Sequence, residues 1–228
     1  MRIWDIHPGY LNRQSLLGEH RELHGLVSIM VNNKKGYSQH PETLRWINYG
    51  WAIKQRHQEL VCEMNLRGYK DNSPVRTRKN KNLWPINYID KPHIQFALLK
   101  EKYKDKEGGR IPLPSNTQEV WAQHKYSVMA RSTLRYKEIG RKIANKNIDM
   151  QELSIELVEL LRTAPNIGGV RNALQHMWGY VSDVSENKNI KSWSLKTLLK
   201  RIQENTKATK QPYLTHSTAL SELMLWVK

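Results

Sequence analysis

The chain has 228 residues, of which 37 are Lys or Arg and 21 are Asp or Glu, so its formal net charge is +16. This length is enough to bury a hydrophobic core in one domain or in two smaller ones. The single cysteine, Cys62, excludes a disulfide framework and a thiolate zinc site. Because no run of 18 apolar residues occurs and the first residues lack the apolar stretch of a signal peptide, we expect no membrane association and a cytoplasmic location.

The positive charge is spread over both halves of the chain, which favours nucleic acid as the partner. A membrane surface is less favoured, because no basic helix shows a continuous aromatic and leucine face. The densest basic cluster lies in an Asn-rich segment between Pro74 and Pro85 and consists of Arg76, Arg78, Lys79 and Lys81. This composition is typical of a loop, and its charges would suit phosphate contacts. A solvated basic loop without a ligand is the alternative.

Helical periodicity dominates the first half, and no alternating pattern long enough for a strand is present. A first helix is predicted over residues 11–30, and a second is predicted from Pro41 to a stop at Gly68. The segment 71–92, with three prolines, should be irregular, and a short helix should cover 93–104. The Gly- and Pro-containing segment 107–114 then predicts a domain boundary.

The second half is predicted to be helical as well. Ser115 and Gln118 have the spacing of a capping box ahead of a helix that reaches about residue 145, and Asp149 begins another. Further helices are predicted up to Tyr180, over 192–205 and over 217–227. The predicted fold is therefore all-α, with two helical domains, residues 1–110 and 115–228, joined by a linker that contains Gly and Pro.

One face of the first predicted helix carries Gln14, Gly18, Glu22 and Gly25, at spacings of four, four and three residues. Each glycine costs the helix about 1 kcal/mol relative to alanine. One explanation is that Glu22 stands on a face stripped of side chains, where a substrate backbone could approach. The alternative is that the glycines permit close helix packing and that Glu22 pairs with a nearby arginine.

Two stretches of residues 1–110 resemble the pyrimidine-dimer DNA glycosylase and apurinic-site lyase family, the phage endonuclease V family. The first is Gln14-Ser15-Leu16-Leu17-Gly18-Glu19-His20-Arg21-Glu22-Leu23, at a similar distance from the chain start as in the family. The second runs from Arg56 to the Arg67-Gly68-Tyr69 stop, with His40-Pro41 near the start of its helix.

The resemblance implies that the α-amine of Met1 is the nucleophile, which attacks the anomeric sugar carbon of the damaged nucleotide and forms a Schiff base. It also implies that Glu22 is the essential carboxylate and that Arg21 is its basic neighbour. Met1 should be retained, because Arg2 is too large for methionine removal. An unprotonated amine is required, and α-amino groups have a pKa of about 7.7–8.0, well below that of lysine. A carboxylate beside the sugar can stabilise the transition state and transfer protons. No metal or other cofactor is expected.

The partner implied by the resemblance is damaged double-stranded DNA, in a bacterial or phage-infected cell. Arg2, Gln14 and Lys125 are further candidates for nucleic-acid contacts, beside the basic cluster. Gly25 occupies the place of a basic residue in the family, Ser15 that of a histidine, and the aromatic C-terminal segment is missing. Lyase chemistry is therefore the firmer expectation, and the lesion the weaker one.

Residues 115–228 resemble the YbgA-like domain of unknown function, through a His124-Lys125-Tyr126 motif and an Asn-x-Leu-Gln-His-x-x-Gly-Tyr motif that ends at Tyr180. We interpret this half as a nucleic-acid-binding accessory module. Its residues His124 and His176 are expected to be buried, hydrogen-bonded histidines rather than metal ligands.

The resemblance implies a DNA-repair N-glycosylase and apurinic/apyrimidinic lyase that acts on damaged pyrimidines, with ultraviolet dimers first, through a Schiff base from the N-terminal α-amine and β-elimination. Two alternatives stay open. One is a binding protein for RNA, such as thiolated tRNA, that recognises modified pyrimidines without chemistry at the N-terminus. The other keeps the glycosylase chemistry but directs it to another modified DNA base. The oligomeric state is not predicted.

Overall fold

The computed structural model describes residues 1–184 and 190–227. Within these ranges the chain is helical, without a strand. Eleven α-helices are present in them: α1 Arg13–Asn32, α2 Pro41–Trp46, α3 Gly50–Leu66, α4 Pro92–Lys102, α5 Thr117–Arg131, α6 Thr133–Ala144, α7 Met150–Leu161, α8 Ile167–Trp178, α9 Leu195–Thr209, α10 Pro212–Thr215 and α11 Ala219–Glu222. The prediction of an all-α fold with two helical parts is confirmed. None of the helices described is both long enough and apolar enough to cross a bilayer.

The second predicted helix is interrupted, and α3 restarts at Gly50 after the non-helical residue Tyr49. The reason is the loop that packs there: the Trp51 amide donates to the Lys79 carbonyl (2.8 Å), and the Thr77 hydroxyl donates to the Gly50 carbonyl (2.7 Å). A Cβ at position 50 would lie 3.2 Å from the Lys79 amide nitrogen, so glycine allows this close approach. The predicted irregular segment 71–92 therefore packs against the start of α3.

The predicted helix over 115–145 is also divided, at Ser132. Its backbone is extended, and its hydroxyl caps α6 by accepting a hydrogen bond from the Arg135 amide (3.1 Å). The capping box at the start of α5 lies one residue later than predicted. Asn116 accepts from the Glu119 amide (2.9 Å), and the Glu119 carboxylate accepts from the Ser115 amide (2.6 Å). The predicted cap at Asp149 is confirmed.

The hydrophobic core is continuous across the predicted domain boundary. One cluster of buried side chains joins the first half to α5, α6 and α7, for example through Val120, Val128 and Leu157. A second cluster lies around α8, α9 and the last short helices. The linker itself is packed, since Ile111 is fully buried and its amide donates to the Gly9 carbonyl (2.9 Å). The division at residues 110 and 115 stays a prediction.

Glu63 on α3 is the centre of a buried polar network that holds the two halves together. Its carboxylate accepts hydrogen bonds from Arg67 (2.7 Å), from Arg110 (2.9 and 2.8 Å) and from the Ser221 hydroxyl (2.6 Å). Arg110 also donates to backbone carbonyls of Thr215 and Ser217. Burial alone would raise the pKa of Glu63, but the guanidinium groups of Arg110 and Arg67 hold it well below its usual range.

Glu63→Gln is expected to lower the free energy of unfolding by about 3 kcal/mol, because two arginines that are mostly shielded from solvent lose the buried carboxylate that pairs with them. The native carboxylate has a lowered pKa, so its stabilisation is present above about pH 4.5 and is lost as the pH falls towards the folded-state pKa. The variant should therefore also lose less stability than the native protein on acidification. Urea unfolding between about pH 3 and pH 7 measures both effects.

The matched control is Glu204→Gln in α9, where the carboxylate is half-exposed and paired only with surface cations. Its unfolding free energy should stay within about 0.5 kcal/mol of the native value. Equal stability of the Glu63 and Glu204 variants would contradict the role given to the buried network.

Candidate active site

The N-terminal segment runs extended through the protein, and side-chain oxygens hold its backbone. The Arg2 amide donates to Glu22, and the Ile3 amide donates to Glu42 (3.2 Å). The next two amides donate in the same way, Trp4 to Glu19 (3.2 Å) and Asp5 to Gln95 (2.9 Å). Because four consecutive amides each have a side-chain acceptor, the position of residue 1 is fixed by the fold.

Two of these acceptors are themselves anchored in the interior. Glu19 is buried and forms a two-pronged ion pair with Arg56 of α3 (2.8 and 3.1 Å). Arg56 also donates to the Ile6 carbonyl (3.0 Å), so it holds both the helix and the end of the segment. Glu42 is buried beside the indole of Trp46 (3.1 Å), and burial raises its pKa. Two of the side chains that hold the N-terminal segment are therefore themselves bonded to buried partners.

The result is that the Met1 α-amine lies next to Glu22, with 3.9 Å between the nitrogen and the Glu22 Oε1. The Glu22 side chain is 40% exposed, whereas that of Met1 is 8% exposed. The partners of this carboxylate are the Met1 amine and the Arg2 amide, so the pairing with a nearby arginine side chain, left open above, is not what the structure shows. An amine and a carboxylate thus meet at a surface position.

The face of α1 around Glu22 is bare. A Cβ built at Gly18 would meet no atom within 4 Å, and the same holds at Gly25. The glycines therefore do not serve close helix packing. Gln14, on the same face by helical spacing, is exposed. The face is open on either side of the carboxylate.

The side chains of two other predicted site residues, Arg21 and Arg2, are bonded to groups outside the amine–carboxylate pair. Arg21 is exposed and its Nε donates to the Leu17 carbonyl (3.4 Å); within the described structure it shares no hydrogen bond with Met1 or Glu22. Arg2 pairs with Asp90 (2.6 Å) and lies over the Trp4 ring. Arg2 therefore already has partners within the protein.

Among the predicted nucleic-acid contacts, the basic cluster is exposed throughout: Arg76, Arg78, Lys79 and Lys81. Arg78 and Lys79 line an open groove of about 600 Å³ together with Lys34 and Lys35, which follow α1. Lys125, by contrast, is half-buried, with its ammonium 4.6 Å from the centre of the Tyr213 ring. The groove was not predicted from the sequence, because Lys34 and Lys35 are distant from the cluster along the chain.

The amine–carboxylate pairs among the described residues of the second half are lysine–glutamate ion pairs with exposed lysine side chains. His124 is buried and bonded to the Val120 carbonyl (2.9 Å), as expected, and burial lowers its pKa to about 4. His176 is exposed, so the expectation that it is buried is wrong. An enclosed cavity between the halves, lined in part by Arg56 and Arg162, has a volume of only about 30 Å³, which is too small for a nucleotide.

Sequence reasoning missed one cluster of titratable side chains, which we call the histidine cluster: His20 and His24 on α1, His57 on α3, and Asp71 after α3. Their donor atoms all lie within 4.8 Å of one another. Burial lowers the pKa of His57 to about 4 and also lowers that of His20. The four-residue spacing of His20 and His24 was the available signal, but nothing in the sequence placed His57 and Asp71 beside them.

Comparison with known protein families gives two matches. Residues 1–77 match a family described as pyrimidine dimer DNA glycosylase, and residues 125–223 match one described as a protein of unknown function, DUF1722. These matches confirm both resemblances inferred from the sequence, in the same order along the chain. No curated protein and no solved structure matches the chain. The amine–carboxylate pair lies within the part that matches the glycosylase family.

Because nothing occupies the space beside Gly18, Gly18→Ala should raise the free energy of unfolding by up to about 1 kcal/mol. If the bare face serves the substrate, the same change should lower the rate of strand cleavage. Thermal unfolding and cleavage of a damaged duplex, measured on one preparation, give the two results.

Gly140→Ala in α6 is the matched control, since a Cβ there would only reach ordinary contact with Trp121 at 3.8 Å. It should gain stability without loss of activity. A Gly18 variant that is more stable and fully active would show that the bare face has no part in substrate binding.

Proposed function

We propose that this protein is a DNA N-glycosylase with apurinic/apyrimidinic lyase activity on damaged pyrimidines, with ultraviolet dimers as the first substrate to test. The observation that carries the proposal is the Met1 α-amine 3.9 Å from the Glu22 carboxylate. This pair lies in the segment that matches the glycosylase family. The open face of α1 around it supports access by a DNA backbone.

In the proposed reaction the neutral Met1 amine attacks the anomeric carbon of the damaged nucleotide. The N-glycosidic bond breaks, and the base leaves after taking up a proton. The proton that the attached nitrogen loses is transferred to the ring oxygen O4′ as the C1′–O4′ bond breaks, which leaves a protonated imine between enzyme and DNA. Loss of a proton from C2′ breaks the C3′–O bond and cleaves the strand, and water finally releases the amine. The protons in these steps are gained or lost by the departing base, the attached nitrogen and the sugar itself.

Glu22 is suited to these steps because it lies beside the amine and is partly exposed. Its negative charge would stabilise the positive charge that develops on the sugar as the base departs. It can accept the proton that the amine loses and can serve as the base for the elimination. Its hydrogen bond from the Arg2 amide orients the carboxylate.

Phosphate binding is assigned to the basic groove near the end of α1. Ile29, which lines the groove, is four residues after Gly25 and so continues the face that carries Gly18 and Glu22. Seven residues along a helix correspond to about 10 Å, so the groove begins about that far from Glu22. A duplex held by its phosphates in the groove could therefore reach the amine.

To reach the sugar of a paired nucleotide, an enzyme of this kind takes the base out of the stack, which costs a few kcal/mol and is cheapest for a damaged base. An abasic site needs no such step. Cleavage of an abasic duplex therefore tests the lyase reaction alone, and cleavage of a dimer duplex tests the glycosylase step as well.

Glu22→Gln should lower strand cleavage at an abasic site by about 100-fold or more, because the amide can neither accept a proton nor carry charge. Binding of the same duplex should change little. Single-turnover cleavage and a binding titration separate the two effects. Glu101→Gln, an exposed change on α4, is the control and should behave as the native protein. A Glu22 variant that cleaves at the native rate would remove the assignment.

Replacing Lys35 and Arg78 together by Gln should weaken DNA binding to a similar degree for all sequences and lesions. Each lost phosphate contact should reduce the slope of log K against log salt by about 0.9, so the pair should reduce it by about 2. Binding titrations at several salt concentrations measure this slope. Replacing Lys207 and Lys210 at the end of α9 is the control. An unchanged slope in the groove variant would place the DNA elsewhere.

A further inference from the structure

We propose that the histidine cluster is a zinc-binding site, with His20, His24, His57 and Asp71 as its ligands. Three imidazole nitrogens and one carboxylate oxygen form a donor set that suits Zn²⁺ in four-coordinate geometry. This proposal does not depend on the proposed function, because it concerns a different face of α1 and has its own measurements.

The helices bring the three rings together. His20 and His24 are one turn apart on α1, and their ring centres lie 4.7 Å apart. His57 on the neighbouring helix α3 lies 5.0 Å from the first ring and 4.9 Å from the second. Three imidazoles from two packed helices thus form a triangle around a common point.

The fourth ligand closes this triangle. The Asp71 carboxylate lies 3.2 Å from the His20 Nε2 and 3.7 Å from the His57 Nε2. All four donor atoms lie within 4.8 Å of one another. Donors around a zinc ion with bonds of about 2.0–2.1 Å are separated by about 3.3 Å, so small side-chain rotations would complete the shell.

Two of the donor atoms have no partner outside the cluster. The Nε2 atoms of His20 and His57 are buried, and among the described residues neither makes a hydrogen bond of good geometry; their contacts are with the Asp71 carboxylate, at 3.2 and 3.7 Å. Buried polar atoms are normally paired, and an unpaired one is costly. A cation bound to these nitrogens would supply the missing interaction. The side chains of His20 and Asp71 are 12% and 9% exposed, so the cluster lies just below the protein surface.

Ser73 holds the carboxylate ligand in place. Its amide (3.0 Å) and its hydroxyl (2.7 Å) both donate to the Asp71 Oδ1, and the hydroxyl lies 3.2 Å from the His24 Nε2. Such supporting hydrogen bonds around a metal ligand fix its orientation and raise metal affinity. A turn built by Asp71 and Ser73 is therefore part of the site.

The position of the site indicates what the ion would do. Glu22 and His20 are two residues apart on α1 and so point in directions that differ by about 200°. The ion would therefore lie away from the Met1 amine and take no part in chemistry there. It would tie α1, α3 and the beginning of the segment 71–92 together, and that segment carries the basic cluster. We assign it a structural role that orders this segment.

The test uses the full-length protein without a histidine tag, freed of metal with a chelator and then titrated with Zn²⁺. We expect one zinc ion per chain by mass spectrometry after dialysis, with a dissociation constant of about 1 µM or tighter. Co²⁺ should give the intense visible absorption of a four-coordinate ion with nitrogen ligands. Absence of both signals in the folded native protein would overturn the proposal.

Variants locate the ion. Asp71→Asn and His24→Gln should lose stoichiometric binding, and Ser73→Ala should weaken it by about 10–100-fold. The exposed His176→Gln is the matched control and should bind as the native protein does. Circular dichroism confirms that each variant is folded, and the Co²⁺ spectrum of the native protein needs no variant. Zinc bound with native affinity by both ligand variants would overturn the proposal.

Discussion

The structure depends on how the N-terminal segment is held. An extended chain end has free backbone amides. Here four amides in succession donate to side-chain oxygens on three helices, those of Glu22 and Glu19 on α1, Glu42 on α2 and Gln95 on α4. Buried amides without acceptors would be costly, so these acidic and amide side chains are required by the path of the chain. The same contacts set the first residue beside Glu22.

Three faces of helix α1 have three different roles. Its apolar stripe, with Leu16 and Leu23, faces the core. On one side of this stripe lies the bare face with Glu22, and on the other lies the pair His20 and His24. Because a helix turns by about 100° per residue, neighbouring residues in sequence serve different surfaces. A short motif therefore carries both the proposed chemistry and the proposed metal ligands.

The two halves of the chain form a joined structure through buried charges. Glu63 binds Arg110 of the linker, and Asp5 of the N-terminal segment binds Arg162 after α7 (2.7 Å). These pairs lie in the interior, where losing one partner is expensive. The proposed DNA-binding face and the second half therefore belong to one packed structure.

Features that depend on the pattern within one segment could be predicted from the sequence. The helical periodicity, the cap at Asp149 and the face that carries Gly18 and Glu22 depend on spacing within one segment, and the structure agrees with all three. The breaks before Gly50 and at Ser132 were missed because they depend on other parts of the fold or on a competing cap. Contacts between residues that are distant in the sequence could not be predicted either.

The histidine cluster shows the same limit most clearly. Half of it, His20 and His24, is visible in the spacing, whereas His57 and Asp71 are brought in by the packing of α3 against α1. The basic groove likewise joins Lys34 and Lys35 to Arg78 through tertiary structure alone. The amine–carboxylate pair was predicted from a family resemblance rather than from any pattern in the chain.

The most direct test of the central claim is borohydride trapping with untagged protein and a labelled abasic duplex, followed by sequencing of the peptide that carries the adduct. If Met1 is the nucleophile, reduction should give one covalent complex through the Met1 nitrogen, and a dimer duplex should give the same complex if the base is removed first. No adduct, or an adduct through a lysine, from protein with a free Met1 amine would contradict the account.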